Sequence, residues 1–339
     1  MTRSSPSSNA RRRSSVDASG AAGCEPAAGF CGEGYTDAGE PSFVSAAEQP
    51  LSTLSADADT ASYANLRRLV RSGAGLGTID PGAVRIEEML NYFDYDYAAP
   101  AEGEDFALTA RAGACPWNAE SELVVLGLTV GQAVTEAPPT NLVLLVDVSG
   151  SMGDAEKLPL LKESIARIVK GLRAEDRVSI VTYSGVEEVV LKGASGDDAE
   201  AILGAINGLE AAGSTNGEAG LSMAYRVAEE THIEGGVNRI VMASDGDLNV
   251  GISSEDELNA FVSEKRGQGT YLSVLGFGSG NYQDAKMETL ADHGNGSYHY
   301  IDSADEAARV YERFLAAGAV PVADDVKLQV EFDPWMVES

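Results

Sequence analysis

Between residues 139 and 318, short continuous apolar runs alternate with longer stretches in which apolar positions recur at helical spacing. The short runs lack in-out alternation, which is typical of parallel strands buried on both faces of a sheet. Their alternation with helices predicts an α/β fold with a doubly wound, mostly parallel six-stranded sheet and helices on both faces. The predicted strands are 141–146, 177–183, 188–191, 238–243, 271–276 and 297–301, and the predicted helices are 157–171, 198–208, 217–230, 254–265, 283–291 and 304–316.

One connection in this series is short. Four residues, Ser184 to Glu187, separate the second predicted strand from the third. A connection of this length fits a hairpin, whereas the others are long enough for right-handed crossovers between parallel strands. The third strand is therefore predicted to be antiparallel, at one edge of the sheet.

The flanking regions have a different pattern. Residues 56–138 are predicted to hold two amphipathic helices and two strands, and residues 319–339 hold one more strand before the sequence stops, which suggests a truncated C-terminal β segment. The two strands before Pro138 are the expected partners of the last strand, which would make a small flanking β unit. These elements are helices near 61–70 and 84–93 and strands over 106–112, 123–130 and 326–332.

Residues 1–55 are rich in Ser, Ala, Gly and Glu, and this composition predicts a disordered leader. Arg11–Arg13 resemble the basic start of an export signal, and Ala22-Gly23-Cys24 resembles the end of a lipoprotein signal. The leucine-rich stretch that should join them is missing, so the sequence as written predicts no intact signal peptide. A misassigned start and a decayed signal remain alternatives to a plain disordered tail.

Composition narrows the classes of function. The 339 residues are 44% hydrophobic, enough for a sizeable core, and 53 acidic against 24 basic residues give a net charge of −29. Such a chain repels a phosphate backbone, so nucleic acid is not an expected partner. No apolar run approaches the roughly 18 residues of a membrane-spanning helix, and direct membrane insertion is not expected. Three scattered cysteines form neither a disulfide framework nor a four-ligand zinc site.

Oxygen-bearing side chains follow two of the predicted strands and precede one helix. Asp147, Ser149 and Ser151 come directly after the first strand, Asp245 follows the strand 238–243, and Thr215 lies just before the helix at 217. Loops at the carboxyl ends of parallel strands meet at one edge of a sheet. Carboxylate and hydroxyl oxygens suit a hard cation, so these five residues predict a site for Mg²⁺, with Mn²⁺ or Ca²⁺ as alternatives.

The pattern Asp147-x-Ser149-x-Ser151, with Thr215 and Asp245, resembles the metal-ion-dependent adhesion site (MIDAS) of the von Willebrand factor type A (VWA) domain. The resemblance extends over about Asn141 to Ala317. Three flanking segments, 59–65, 84–89 and 115–118, resemble the bacterial YfbK-like group of VWA proteins.

This resemblance implies a VWA, Rossmann-like fold in which the five residues hold the metal, some of them through water. It also implies a location in the cell envelope or outside the cell, because members of the group typically begin with a lipoprotein signal and carry a C-terminal domain of their own. The sequence departs from that pattern at both ends.

The donor set predicts a binding module rather than an enzyme. Hydroxyl groups are neutral, so a divalent ion held by few carboxylates stays short of negative charge and favours a Glu or Asp carboxylate from a partner protein. One alternative is a structural envelope protein whose metal site is inert. Another is a metal-dependent phosphohydrolase of the haloacid dehalogenase type, but such an enzyme needs an acid–base Asp where Ser149 stands.

Other candidate groups are weaker. Asp247 and Asn249 are expected either to donate or accept hydrogen bonds near Asp245 or to cap a turn. The three histidines lie far apart and are expected to be ordinary surface or packing residues: they are His232, His293 and His299. The glycine-rich segment 276–280 lacks the third glycine of a dinucleotide-binding loop.

Overall fold

The computed structural model describes residues 32–36, 39, 42–56, 58–131, 138–246, 255–315, 322–323 and 326–337. The strands are β1 Leu51–Ser55, β2 Phe106–Ala114, β3 Glu122–Val130, β4 Thr140–Asp147, β5 Arg177–Tyr183, β6 Glu187–Ser195, β7 Val237–Ser244, β8 Thr270–Phe277, β9 Asn295–Ile301 and β10 Lys327–Glu331. The helices are α1 Ala61–Arg71, α2 Ile86–Asn91, α3 Leu158–Ile168, α4 Ala199–Asn207, α5 Gly217–Glu230, α6 Glu255–Arg266, α7 Asp284–His293 and α8 Ala304–Val310.

Six strands form one sheet in the order β6-β5-β4-β7-β8-β9, in which every neighbouring pair is parallel except β5 and β6. This confirms the predicted doubly wound fold and its antiparallel edge strand. β6 is longer than the predicted 188–191, since it continues to Ser195. Its extra residues include no large apolar side chain and are half-exposed or exposed, as an edge strand allows, so an apolar run alone underestimates its length.

The core lies on both faces of this sheet. All eight residues of β4 are buried, and alternate side chains enter opposite clusters. Leu142, Leu144 and Val146 pack with α3, α4 and α8, whereas Val143 and Leu145 pack with α1, α5, α6 and α7. A strand buried on both faces in this way explains the continuous apolar runs in the sequence.

Helix α1 precedes the sheet in sequence and still contributes to its core. Ala61 and Ala64 are buried against the second face, next to β9. The carboxylate of Asp59 accepts a hydrogen bond from the backbone N–H of Tyr298 at 2.7 Å, and Thr60 Oγ1 lies 2.8 Å from His299 Nδ1. The N-terminal helix is therefore fixed to the edge strand β9 by side-chain packing and by buried hydrogen bonds.

Two small antiparallel ribbons accompany the sheet. β2 pairs with β3 along nine residues of each, and β10 pairs with β1, with Leu51 opposite Glu331. The expectation that 326–332 would pair with the strands before Pro138 is therefore wrong, because those two strands pair with each other. The partner of β10 is Leu51–Ser55, which lies in the predicted leader, so the leader was predicted to extend too far toward the C-terminus. Residues 1–31, including Arg11–Arg13 and Cys24, lie outside the described residues.

Within the described part of the chain, no helix has both the length and the apolar character needed to cross a bilayer.

Candidate metal centre

The predicted donors converge at the carboxyl ends of β4 and β7, which are adjacent and parallel. Val146 is paired with Ala243, so Asp147 and Asp245 leave the sheet side by side. Both of these carboxylates are fully buried, and Ser149 is buried as well. The topology of the sheet thus brings together residues that are about a hundred positions apart in the sequence.

Hydrogen bonds link four of the five predicted residues. Ser149 Oγ lies 3.1 Å from Ser151 Oγ, and Ser151 Oγ donates to Asp245 Oδ2 at 2.8 Å. The backbone N–H of Ser149 donates to Asp147 Oδ1 at 2.9 Å, and Ser244 Oγ donates to Asp147 Oδ2 at 3.1 Å. The loop after β4 and the loop after β7 therefore share one network of oxygen atoms.

The loop that carries Thr215 is attached to the site differently from the other two loops. Among the described residues, no hydrogen bond joins the Thr215 side chain to the other four donors. Its loop is instead attached through the backbone, because Gly150 N–H donates to Gly213 O at 3.0 Å and Ala212 N–H donates to Val148 O at 2.8 Å. Thr215 is buried and lies two residues after Gly213 and two residues before α5.

The two carboxylates have different electrostatic surroundings. The pKa of Asp147 is raised to about 6, chiefly by burial and also by the charge of Asp245, while the hydrogen bonds from Ser149 and Ser244 oppose the rise. Burial also acts on Asp245, but the Lys157 ammonium together with hydrogen bonds from Ser151 and Asn281 holds the pKa of this carboxyl below its usual value. Within the described residues, Asp147 has no ion-pair partner, so its negative charge is not compensated.

Sequence reasoning missed two side chains of the site, Lys157 and Asn281. Lys157 Nζ lies 2.9 Å from Asp245 Oδ2 and 2.6 Å from Asn281 Oδ1, and Asn281 Nδ2 donates to the same Asp245 oxygen at 3.0 Å. A lysine at the first position of a predicted helix has the pattern of an ordinary surface residue, and nothing in its spacing indicates burial. The missed signal is Gly278, at a φ of +81°, because an added Cβ there would lie 2.3 Å from Lys157 Cε.

The chemistry of these donors fits a hard divalent cation. All five predicted donors offer oxygen, and among the described residues no cluster of three or more His, Cys, Asp or Glu side chains forms a softer, more anionic site. The buried, uncompensated charge of Asp147 is the kind of environment that a cation relieves. Asp147, Ser149, Ser151, Thr215 and Asp245 remain predicted ligands on this basis.

The weaker candidates of the sequence analysis have other surroundings where the structure describes them. His299 is fully buried between Thr60 and Ser297, with its Nε2 2.9 Å from Ser297 Oγ. Asp247 and Asn249 lie outside the described residues.

Two family models match the chain. A model described as von Willebrand factor type A domain matches residues 141–313, and a second, described as von Willebrand factor, matches residues 30–125. Among curated proteins, YfbK of Escherichia coli K12 is 42% identical over 301 residues, which is 86% of this chain and 52% of YfbK. Human inter-alpha-trypsin inhibitor heavy chain H3 is 30% identical over 200 residues, which is 56% of this chain and 22% of the heavy chain. The chain thus spans about half of YfbK and a smaller share of the heavy chain.

Similar solved structures include a von Willebrand factor type A protein from Catenulispora acidiphila, with a TM-score of 0.48 and 18% identity over 67% of this chain and 52% of that one. Another is proximal thread matrix protein 1 from the mussel byssus, described with a zinc-occupied MIDAS motif, with a TM-score of 0.42 and 15% identity over 54% of this chain and 48% of that one. Since the type A model alone matches just over half of the residues, this chain belongs to the von Willebrand factor type A domain family.

Proposed function

We propose that this protein is a divalent-cation-dependent, non-enzymatic protein-binding module. In this proposal Asp147, Ser149, Ser151, Thr215 and Asp245 hold Mg²⁺, or Mn²⁺ or Ca²⁺ in its place, and the partner is a protein that offers a Glu or Asp side chain. The observation that supports it is the oxygen cluster at the carboxyl edge of β4 and β7, which combines the hydroxyls of Ser149 and Ser151 with two buried carboxylates. Membership of the VWA family supports an interaction module in general.

The chain's own residues have distinct tasks in this proposal. Asp147 supplies a buried negative charge, and its orientation is fixed by Ser149 N–H and Ser244 Oγ. Ser149 and Ser151 supply neutral oxygens that contact each other and hold the loop after β4 in place. When bound, the cation supplies an electrophilic position for an anionic oxygen of the partner.

The alternative of an inert structural metal differs in one measurable respect. A structural ion raises the melting temperature but does not control the capture of a partner. An enzymatic role has less support, because Ser149 stands where a dehalogenase-type phosphohydrolase needs a carboxylic acid. A serine hydroxyl does not act as a general acid or base near neutral pH. A place in the cell envelope or outside the cell remains a proposal from the YfbK-like resemblance.

The test combines calorimetry with affinity capture. Isothermal titration with Mg²⁺ should show binding by the parent and none by Asp147→Asn. Immobilised parent should capture a protein from envelope extracts in Mg²⁺ and release it into a chelator, whereas the variant should capture none. Asp154→Asn is the matched control, since Asp154 lies exposed in the same loop region and the substitution makes the same chemical change. Equal Mg²⁺ affinity in parent and Asp147→Asn would refute the proposal.

A further inference from the structure

The strongest unassigned feature of the molecule is a buried lysine inside the oxygen cluster. The Lys157 side chain is 3% exposed, and its ammonium contacts Asp245 Oδ2 and Asn281 Oδ1. The same Asp245 oxygen also accepts hydrogen bonds from Ser151 Oγ and Asn281 Nδ2. Three donors therefore surround one oxygen of a predicted metal ligand, and one of them carries a full positive charge.

The surroundings of this lysine are shaped for it. Its aliphatic carbons cross directly over Gly278, where an added Cβ would lie within 2.3–2.8 Å of Cε, Cγ and Cδ of the lysine. Gly278 lies just after β8, and Lys157 precedes the first turn of α3, so two elements cooperate to bring the ammonium to Asp245. Because burial of an ammonium is unfavourable unless it is well paired, this arrangement needs the carboxylate and the amide that meet it.

We propose that Lys157 is a positioning residue that acts as a tethered counter-cation of Asp245. It keeps the oxygen cluster assembled when no metal is bound, and it limits the affinity of the site for a divalent cation. It also leaves a bound cation with surplus positive charge, which directs the site toward an acidic ligand. This inference rests on the proposed function, since it concerns the same five donors.

The formal charges of the site explain the expected effect. Asp147 and Asp245 each contribute one negative charge and Lys157 one positive charge, so with the lysine the protein groups are singly negative. A divalent cation then leaves the site singly positive, and an incoming carboxylate neutralises it. Without the ammonium, the cation alone neutralises the site, and an incoming carboxylate adds an uncompensated buried charge.

The experiment uses Mn²⁺ as the probe, because bound Mn²⁺ is followed by water-proton relaxation. Lys157→Gln and Lys157→Met both remove the charge. Each should bind Mn²⁺ roughly tenfold or more tightly than the parent, because a repulsive charge a few ångströms away is gone. Each Mn²⁺ complex should also bind acetate more weakly than the parent complex, measured as the acetate concentration that lowers the relaxation enhancement by half.

Two controls separate the local charge from other effects. Lys162→Gln changes the net charge equally and lies within α3, which begins directly after Lys157. Because Lys162 Nζ donates to the backbone carbonyls of Asn207 and Leu209, the Mn²⁺ affinity of this variant should match that of the parent. Melting in chelator should show that the Lys157 variants are less stable than the parent while they bind Mn²⁺ more tightly. If the role of Lys157 were merely structural, its replacement would lower the stability and the Mn²⁺ affinity together.

The outcomes are distinct. Unchanged or weaker Mn²⁺ binding by the Lys157 variants, with binding by the parent that Asp147→Asn abolishes, would overturn this inference and leave the proposed function intact. Absence of Mn²⁺ binding in the parent and in every variant would overturn both. If neither neutral variant folds, Gly278→Ala, which crowds the lysine stem, should tighten Mn²⁺ binding, and unchanged or weaker binding there would overturn the inference.

Discussion

Asp147 illustrates how a single buried residue of the oxygen cluster opposes the stability of the fold. It is fully buried, it faces the charge of Asp245, and its pKa is raised to about 6 from an ordinary value of 3.8. A carboxyl whose pKa is higher in the folded state disfavours folding at every pH above that pKa. The difference corresponds to about 3 kcal/mol at neutral pH.

Replacing this carboxylate with a neutral amide should therefore stabilise the metal-free protein. Asp147→Asn is expected to raise the free energy of unfolding in chelator by up to about 3 kcal/mol, since the amide oxygen can still accept from Ser149 N–H. The same variant should also lose the stabilisation by Mg²⁺ that the proposed function predicts for the parent. Urea unfolding with and without Mg²⁺ measures both effects, and Asp154→Asn should change neither. A variant that is less stable than the parent in chelator would contradict this account.

His299 gives a prediction about pH. Its pKa is lowered to about 3, chiefly by burial and also by the charges of Arg309 and Arg239. The unfolded chain takes up a proton near pH 6.5, while the folded protein does not until about pH 3, so stability is lost as the pH falls through this window. The loss should reach about 2 kcal/mol at pH 5.

The measurement is the free energy of urea unfolding at pH 7 and at pH 5 for parent and His299→Gln. The variant should lose less stability than the parent between these values, by about 2 kcal/mol, whatever its stability at pH 7. His232→Gln, at an exposed histidine, should keep the full pH dependence of the parent. Identical pH dependence in His299→Gln and in the parent would argue against a buried neutral imidazole.

At the residue scale, the sequence predicted where the oxygen donors meet but not what surrounds them. Asp147 and Asp245 follow long apolar strands, so their meeting follows from the parallel topology alone. Lys157 lies 88 positions from Asp245 and Asn281 lies 36 positions from it, and neither has a periodic signal. Their place depends on how α3 and the loop after β8 pack, which is a tertiary property.

At the scale of elements, the sequence predicted the strands buried on both faces most accurately and the edge elements least accurately. β4 and β7 consist entirely of buried residues, and their predicted bounds agree within a residue or two at each end. β1 has the sequence Leu-Ser-Thr-Leu-Ser and is mostly exposed, so it has the composition of a leader. Its strand conformation comes from pairing with β10, a partner nearly three hundred residues away.

Residues 32–36, like β1, lie in the predicted leader and are held by contacts with residues far away in the sequence. Glu33 makes these contacts. The Glu33 carboxylate accepts from Arg68 Nη1 and Nη2 at 3.0 and 2.9 Å, and from Gly280 N–H at 2.9 Å. Glu33 is nearly inaccessible to solvent, with a side-chain exposure of 1%. Removal of one partner from a buried ion pair typically costs 3–5 kcal/mol because the other charge is left without compensation.

Glu33→Gln should therefore lower the free energy of unfolding by about 3 kcal/mol, whereas Glu48→Gln, at an exposed glutamate nearby in the chain, should have little effect. Because Gly280 directly precedes Asn281, the variant should also change Mg²⁺ affinity. Urea unfolding and calorimetric titration measure the two effects separately. A loss of stability with unchanged Mg²⁺ affinity would restrict Glu33 to anchoring, and no loss of stability would exclude even that role.

At the scale of the whole molecule, the sequence analysis divided the chain into regions, and the packing joins two of these regions in one core. Residues 56–138 were predicted as a region flanking the VWA domain, yet α1 buries Ala61 and Ala64 in one of the domain's two core clusters. Helical spacing shows that α1 has an apolar face but not which surface that face covers. The net charge of −29 does not indicate which surface α1 covers either, because charge affects partners and solubility rather than fold.

This packing predicts that the VWA region does not reach full stability on its own. A fragment of residues 139–318 would expose the core face that α1 covers. It would also remove Arg85, whose guanidinium lies 2.5 Å from the buried carboxylate of Asp284, and Asp59, which accepts from Tyr298 N–H. An uncompensated buried Asp284 and an exposed apolar face both favour unfolding.

The fragment 139–318 should therefore unfold at a clearly lower urea concentration than the full chain and should be cleaved faster by a protease. The fragment 58–318 is the matched comparison, since it retains α1, Arg85 and Asp59 and lacks only the N-terminal segment and the last strand. It should recover part of the difference, because the contacts that cover the sheet face lie within it, while the buried Arg68 has lost its partner Glu33. If 139–318 unfolds at the same urea concentration as 58–318, then α1 only adheres to a domain that is already complete, and the two regions are independent folding units.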